Sequence, residues 1–171
     1  AISNIIGEFN ERRELVTIKG YFVDVTTRRQ LEEQVYHMQK MEAMMRKAEQ
    51  LTERQEASNK NTESSENEKL PSLTKEEDQI KSELEALQKE SSELKQMAKD
   101  AKMENSKELQ EFSEALEKTD AGQDMQEMSQ SLNQQQKEQA KEQGKKAHSK
   151  LAAMTDQMQQ KFSQMKGGDQ E

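Results

Sequence analysis

The 171 residues predict a mainly α, elongated protein, a coiled coil or a set of antiparallel helical hairpins, with a short N-terminal β remnant. Three observations carry that prediction. Only 30% of residues are hydrophobic and 4% aromatic, too little apolar surface to offset the ordering entropy of a large globular core. One proline and six glycines are few breakers for a loop-rich chain and favour long helices that bury a narrow stripe. Finally, Ile80, Leu84, Leu87, Ser91, Leu94, Ala98 and Ala101 alternate steps of four and three, the spacing of a coiled-coil seam.

Residues 1–25 hold the β-like signal. Leu15–Ile18 and Tyr21–Val25 are β-branched or aromatic runs separated by Lys19 and Gly20, which reads as two short strands. Such a pair is not independently stable and needs a partner sheet. A helix follows over 26–57, with Leu31, Val35, Met38, Met41, Met45, Ala48 and Leu51 along one stripe. The step from Met38 to Met41 departs from the heptad, and the methionines make the seam soft. Ser58 to Ser72 is small, polar and charged, with Pro71 near its end, and reads as a flexible linker.

Residues 73–165 form the expected coiled-coil region. Thr74 and Glu77 have the spacing of a capping box. Lys81–Glu85 and Glu85–Lys89 are ion-pair candidates at i,i+4. Another helix carries Leu109, Phe112 and Leu116 and ends near Asp120–Gly122. A last one carries Met125, Met128 and Leu132, crosses a Gln/Lys tract and resumes at Ala147, Leu151, Met154, Met158, Phe162 and Met165. Gly144 interrupts that helix at a cost of about 1 kcal/mol relative to Ala. Residues 166–171 read as a disordered tail.

Charge and composition exclude several functions. The net charge is −8, and residues 1–55 are balanced, so the acidic excess falls on 56–171. That half would repel nucleic acid. There is no cysteine, hence no thiolate metal site or thiol nucleophile within the chain. No apolar run is long enough to span a bilayer, and no secretion signal opens the chain. The chain begins at Ala1 rather than Met, which fits a fragment whose anchor lies elsewhere.

No catalytic constellation emerges. His37 and His148 lack the neighbours of a phosphoacceptor or a metal ligand and read as helix-surface residues. Glu76, Glu77 and Asp78 suit a helix N-terminus and lack the alternation of a calcium loop. Ser64 and Ser65 have no base beside them. We therefore expect no enzyme, no cofactor and no metal.

One stretch carries a family resemblance. Gly20-Tyr21-Phe22-Val23-Asp24-Val25-Thr26-Thr27-Arg28-Arg29-Gln30-Leu31-Glu32-Glu33 closely resembles the C-terminal edge of a bacterial PAS sensor domain. Gln39-Lys40-Met41-Glu42-Ala43-Met44 extends the match into the start of a histidine-kinase dimerisation helix, so the resemblance covers residues 18–44. At such a junction Asp24 or Thr26 can cap the outgoing helix, and Asp24 can pair with Arg28 to fix its exit. The resemblance implies a two-component signalling segment with a cytoplasmic location. The chain departs from the family after Ala43, where no phosphoaccepting histidine and no Gly-rich ATP lid follow. Residues 73–165, most of all Met125 to Met165, also resemble Gln/Met-rich helical regions of bacterial membrane-anchored proteins, which would imply a structural role in the cell envelope.

The sequence thus predicts a non-catalytic helical protein–protein interaction module carrying the remnant of a two-component sensor. The alternatives are a signal relay from a PAS-containing kinase and a structural helical part of an envelope protein. A fusion of unrelated coding segments would also read this way. The expected partner is protein, by self-association through helices, with neither nucleic acid nor direct membrane insertion. The expected association seam is Ile80, Leu84, Leu87, Leu94, Ala98 and Ala101, and the expected strand–helix junction is Asp24, Thr26 and Arg28.

Overall fold

The apolar stripes of residues 39–165 close on one another inside a single chain. A computed structural model describes residues 2–13, 15–23, 26–100 and 106–167. It divides the chain into two units, Ala1–Met38 and Gln39–Glu171. The described protein is mainly α.

In the first unit, strands β1 (Ile2–Phe9) and β2 (Leu15–Val23) form a two-stranded antiparallel sheet. Ile2 pairs with Val23 and Gly7 with Ile18, and the register slips between Glu8 and Phe9. The two runs expected as separate strands are one strand, with Lys19 and Gly20 inside it. β1 was not anticipated. The hairpin turns because the Asn10 side-chain oxygen accepts the Arg12 amide at 3.0 Å, while its carbonyl accepts the Arg13 amide at 2.9 Å. Arg13 then takes the left-handed conformation, φ 60°, that reverses a type I turn into a strand. Helix α1 (Thr26–Ser64) begins in this unit. Its Arg28 Nε donates to Glu32 at 2.8 Å. Asp24, the expected partner of Arg28, lies outside the described residues, and of the expected junction only Thr26 and Arg28 fall on α1.

The second unit is a four-column bundle. Beyond residue 39, α1 forms the first column and α2 (Thr74–Asp100) the second. The third is shared by α3 (Ser106–Glu117) and α4 (Ala121–Asn133), and α5 (Lys137–Gly167) is the fourth. Cross-column bonds show each column antiparallel to the next. Lys47 reaches Glu90 and Arg54 reaches Glu76. Lys81 meets Gln126, Asp78 meets Ser129 and Thr74 meets Asn133, stepping evenly in opposite directions. Lys161 reaches Glu111 and Lys150 reaches Asp124. Thr155 and Asn59–Gly144 close α5 back on α1. The topology is up-down-up-down, the arrangement that short connections favour.

The expected association seam is the inner face of α2. Ile80, Leu84, Leu87, Leu94 and Ala98 are each no more than 2% exposed, in a helix packed on α3 and α4. These residues are therefore covered within the chain and are not a free surface for another copy. Ala101 lies outside the described residues. Burial of each large side chain contributes on the order of 1.5–3 kcal/mol, so the chain's own stripes supply the core that its composition seemed to deny.

Three further expectations change. Residues 58–72 are not a flexible linker. α1 continues to Ser64, and a 3-10 helix over Asn67–Leu73 leads straight into α2. Leu70 is fully buried against Met128, Leu132 and Ala140, plugging that end of the bundle. Thr74 and Glu77 form no capping box: Thr74 is already helical because the 3-10 helix runs into it. Its hydroxyl donates to Asn133, and the Glu77 carboxyl is taken by α1. The expected single last helix is broken not at Gly144 but at the glutamine tract. There Gln136 N–H bonds the Ser131 carbonyl at 2.8 Å and Gln135 N–H the Leu132 carbonyl at 3.1 Å, a Schellman stop with Gln135 at φ 58°.

Candidate functional site

The most unusual chemistry in the second unit is a polar layer buried where the core face of α1 changes character. Met41, Met44, Met45, Ala48 and Leu51 give way along the same face to Gln55, Ser58 and Thr62, all 3% exposed or less. The heptad spacing persists while the side chains become polar, so helix geometry carries these groups inward. α2 does the same one turn before Ile80, where Glu77 is fully buried.

Glu77 Oε2 accepts hydrogen bonds from Ser58 Oγ at 2.9 Å and Gln55 Nε2 at 3.1 Å. Gln55 Nε2 also lies 3.3 Å from Asn59 Oδ1 and 3.5 Å from Met128 Sδ. Asn59 Nδ2 donates to the Gly144 carbonyl at 2.9 Å. A Cβ at Gly144 would overlap the Asn59 side-chain oxygen and crowd Met128 Sδ, so glycine is what lets α1 and α5 meet here. Gly144 therefore does not interrupt α5, which runs through it. No described donor reaches Glu77 Oε1 or Gln55 Oε1.

Burial pushes the Glu77 carboxyl up to about 7, against the two bonds from Ser58 and Gln55, with Asp78 and Glu76 adding to the rise. Unlike charge has no counterpart at this position, so desolvation dominates. Around the layer the charged groups are paired off. Arg54 Nε and Nη2 grip Glu76 at 3.0 and 2.8 Å, and its other arm holds Glu83. That bond holds the Glu83 carboxyl below its usual range. Lys150 binds Asp120 at 2.8 Å and Asp124 at 2.6 Å.

A groove of about 370 Å³ runs between α1 and α2 over Leu51 and Leu87. Its two lining cations, Arg54 and Lys47, are held by Glu83 and Glu90, leaving no unpaired cation there to orient an anionic substrate. Lys81–Glu85, expected from spacing, is an ion pair at 3.5 Å.

His37 is 6% exposed rather than on the helix surface. Its Nδ1 is 2.6 Å from the Glu33 carbonyl, and its ring meets Tyr36 edge-on. His148 is half-buried. Ser64 Oγ donates to the Asn61 carbonyl, and no base is bonded to it. Among the described residues no group of three or more His, Asp or Glu side chains is placed to hold a metal. Among them, too, no helix is long and apolar enough to cross a membrane.

The buried layer was missed by sequence reasoning, although a signal existed. Glu77, Gln55, Ser58 and Gly144 all sit on the continuation of an apolar heptad face. Comparison with known proteins finds no family model, curated protein or solved structure that matches the chain.

Proposed function

We propose that the chain is a non-catalytic helical module that works by protein–protein association, with a second copy of itself as partner. The observation that carries this reading is on the first turns of α1. Leu31 and Val35 stand one turn apart and are 56% and 55% exposed, whereas the apolar stripe of α2 is spent inside its own chain. An apolar pair at this spacing is a seed for helix pairing. Charge supports a like partner: Arg28 and Arg29 precede Glu32 and Glu33 by one turn, so a copy running the opposite way sets basic against acidic pairs.

Sedimentation equilibrium of the whole chain, beside a Leu31→Glu/Val35→Glu variant, tests this. Self-association of the wild type that the variant loses, with helicity kept in both, is the expected result. A wild type that stays monomeric at every concentration removes the reading.

A second reading is a relay segment of a sensor histidine kinase without its catalytic residues. The succession of β2, ending at Val23, and α1, starting at Thr26, supports it alongside the sensor-edge resemblance. Joining a complete sensor domain ahead of the chain should then make self-association respond to the sensor's ligand, and an unchanged association would count against it.

A further inference from the structure

We propose that Glu77 is a proton switch built into the bundle: its carboxyl is held protonated in the closed layer, and its ionisation loosens the packing of α1 on α2.

The argument is one of donors and acceptors. Both donors that reach the carboxyl, Ser58 Oγ and Gln55 Nε2, go to Oε2. Oε1 is buried with no described donor, and so is the carbonyl oxygen of Gln55, whose amide nitrogen already bonds the same carboxyl. An ionised carboxylate can only accept, which would leave both of these buried oxygens without a donor in a layer that offers the charge no cation. A proton on Oε1 removes the charge and turns that oxygen from an unmet acceptor into a donor in one step.

The charged groups on every packed element agree. On α2 itself, Glu76 and Asp78 flank the site and oppose a further negative charge. From α1, Arg54 faces outward and is held by Glu76 and Glu83. From α4, Asp124 is held by Lys150 of α5, and His148 of α5 is half-buried. Met128 and Gly144 present only sulfur and backbone.

The direction in pH follows. The folded-state value, about 7, lies above the ordinary 4.5, so folded protein binds a proton that unfolded protein has released. The contribution of Glu77 is complete below 4.5 and is lost as pH rises through about 7. Across that window the folded-to-unfolded ratio due to this group should fall on the order of a hundredfold.

The test uses the full chain. NMR titration of the Glu77 side-chain carboxyl in the wild type should show a midpoint near 7, whereas a midpoint at or below 4.5 overturns the proposal. Thermal unfolding of the wild type should weaken from acid to neutral pH relative to Glu77→Gln, which keeps a donor and carries no charge. Parallel profiles overturn the switch. Amide exchange at Gln55 and Ser58, corrected for intrinsic rates, should quicken once Glu77 ionises, and unchanged protection refutes the loosening. Should the variant fail to fold, the wild-type titration and exchange decide the matter.

Discussion

Gly144 sets two rules of helix stability against each other. Alanine in a helix interior gains about 1 kcal/mol over glycine from propensity alone. At this position the added methyl would displace the side chain of Asn59, which binds the Gly144 carbonyl and lies against Gln55. Overpacking of this kind costs about 1–3 kcal/mol, so Gly144→Ala should destabilise the bundle in urea by about 1 kcal/mol. Made in an Asn59→Ala background, the same substitution should be neutral or stabilising, and a double-mutant cycle measures the coupling. Gln135 offers the opposite case. It occupies the left-handed stop of α4, where a Cβ is penalised by about 1–2 kcal/mol. After the greater unfolded-state entropy of glycine is subtracted, Gln135→Gly should raise stability by about 0.5–1 kcal/mol, read as a shift in urea midpoint.

At the scale of elements, the α2 seam was legible because leucines and isoleucine mark its spacing without a fault. The end of α1 was not. Its inward positions are filled by Gln55, Ser58 and Thr62, and a reading that tracks apolar residues sees such a stretch as linker although the spacing never lapses. Pro71 reinforced that error, since a 3-10 helix accommodates it without breaking the path into α2. The turn at Gln134–Gln136 was illegible for a different reason: glycine or asparagine usually announces a left-handed stop, and here glutamine does the work. Leu70→Ala measures the difference between linker and plug. Removing a fully buried leucine should cost about 2–5 kcal/mol, whereas a solvated linker would tolerate the change within a few tenths. Calorimetry or urea unfolding distinguishes the two.

For the second unit as a whole, topology decides what a charge in the seam would do. Leu87 is covered by its own chain, so Leu87→Glu should abolish cooperative unfolding and most helicity of this unit at any protein concentration. Dissociation of an assembly with helicity intact would mean that the columns are supplied by different chains. The square of columns also implies an order of assembly. Three of its seams join neighbours in the chain, and the α4–α5 hairpin turns within a few residues. The fourth joins α1 to α5, where Thr52 meets Thr155 across 103 positions. Closing so distant a pair costs chain entropy before contact rewards it, which places this seam on the late side of the folding barrier. Leu132→Ala, in the hairpin, should therefore slow refolding, while Asn59→Ala should hasten unfolding and leave the refolding rate nearly unchanged in stopped-flow traces. The bundle is thus a book whose covers meet last along α1 and α5, and the glycine at 144 is part of the clasp that shuts them.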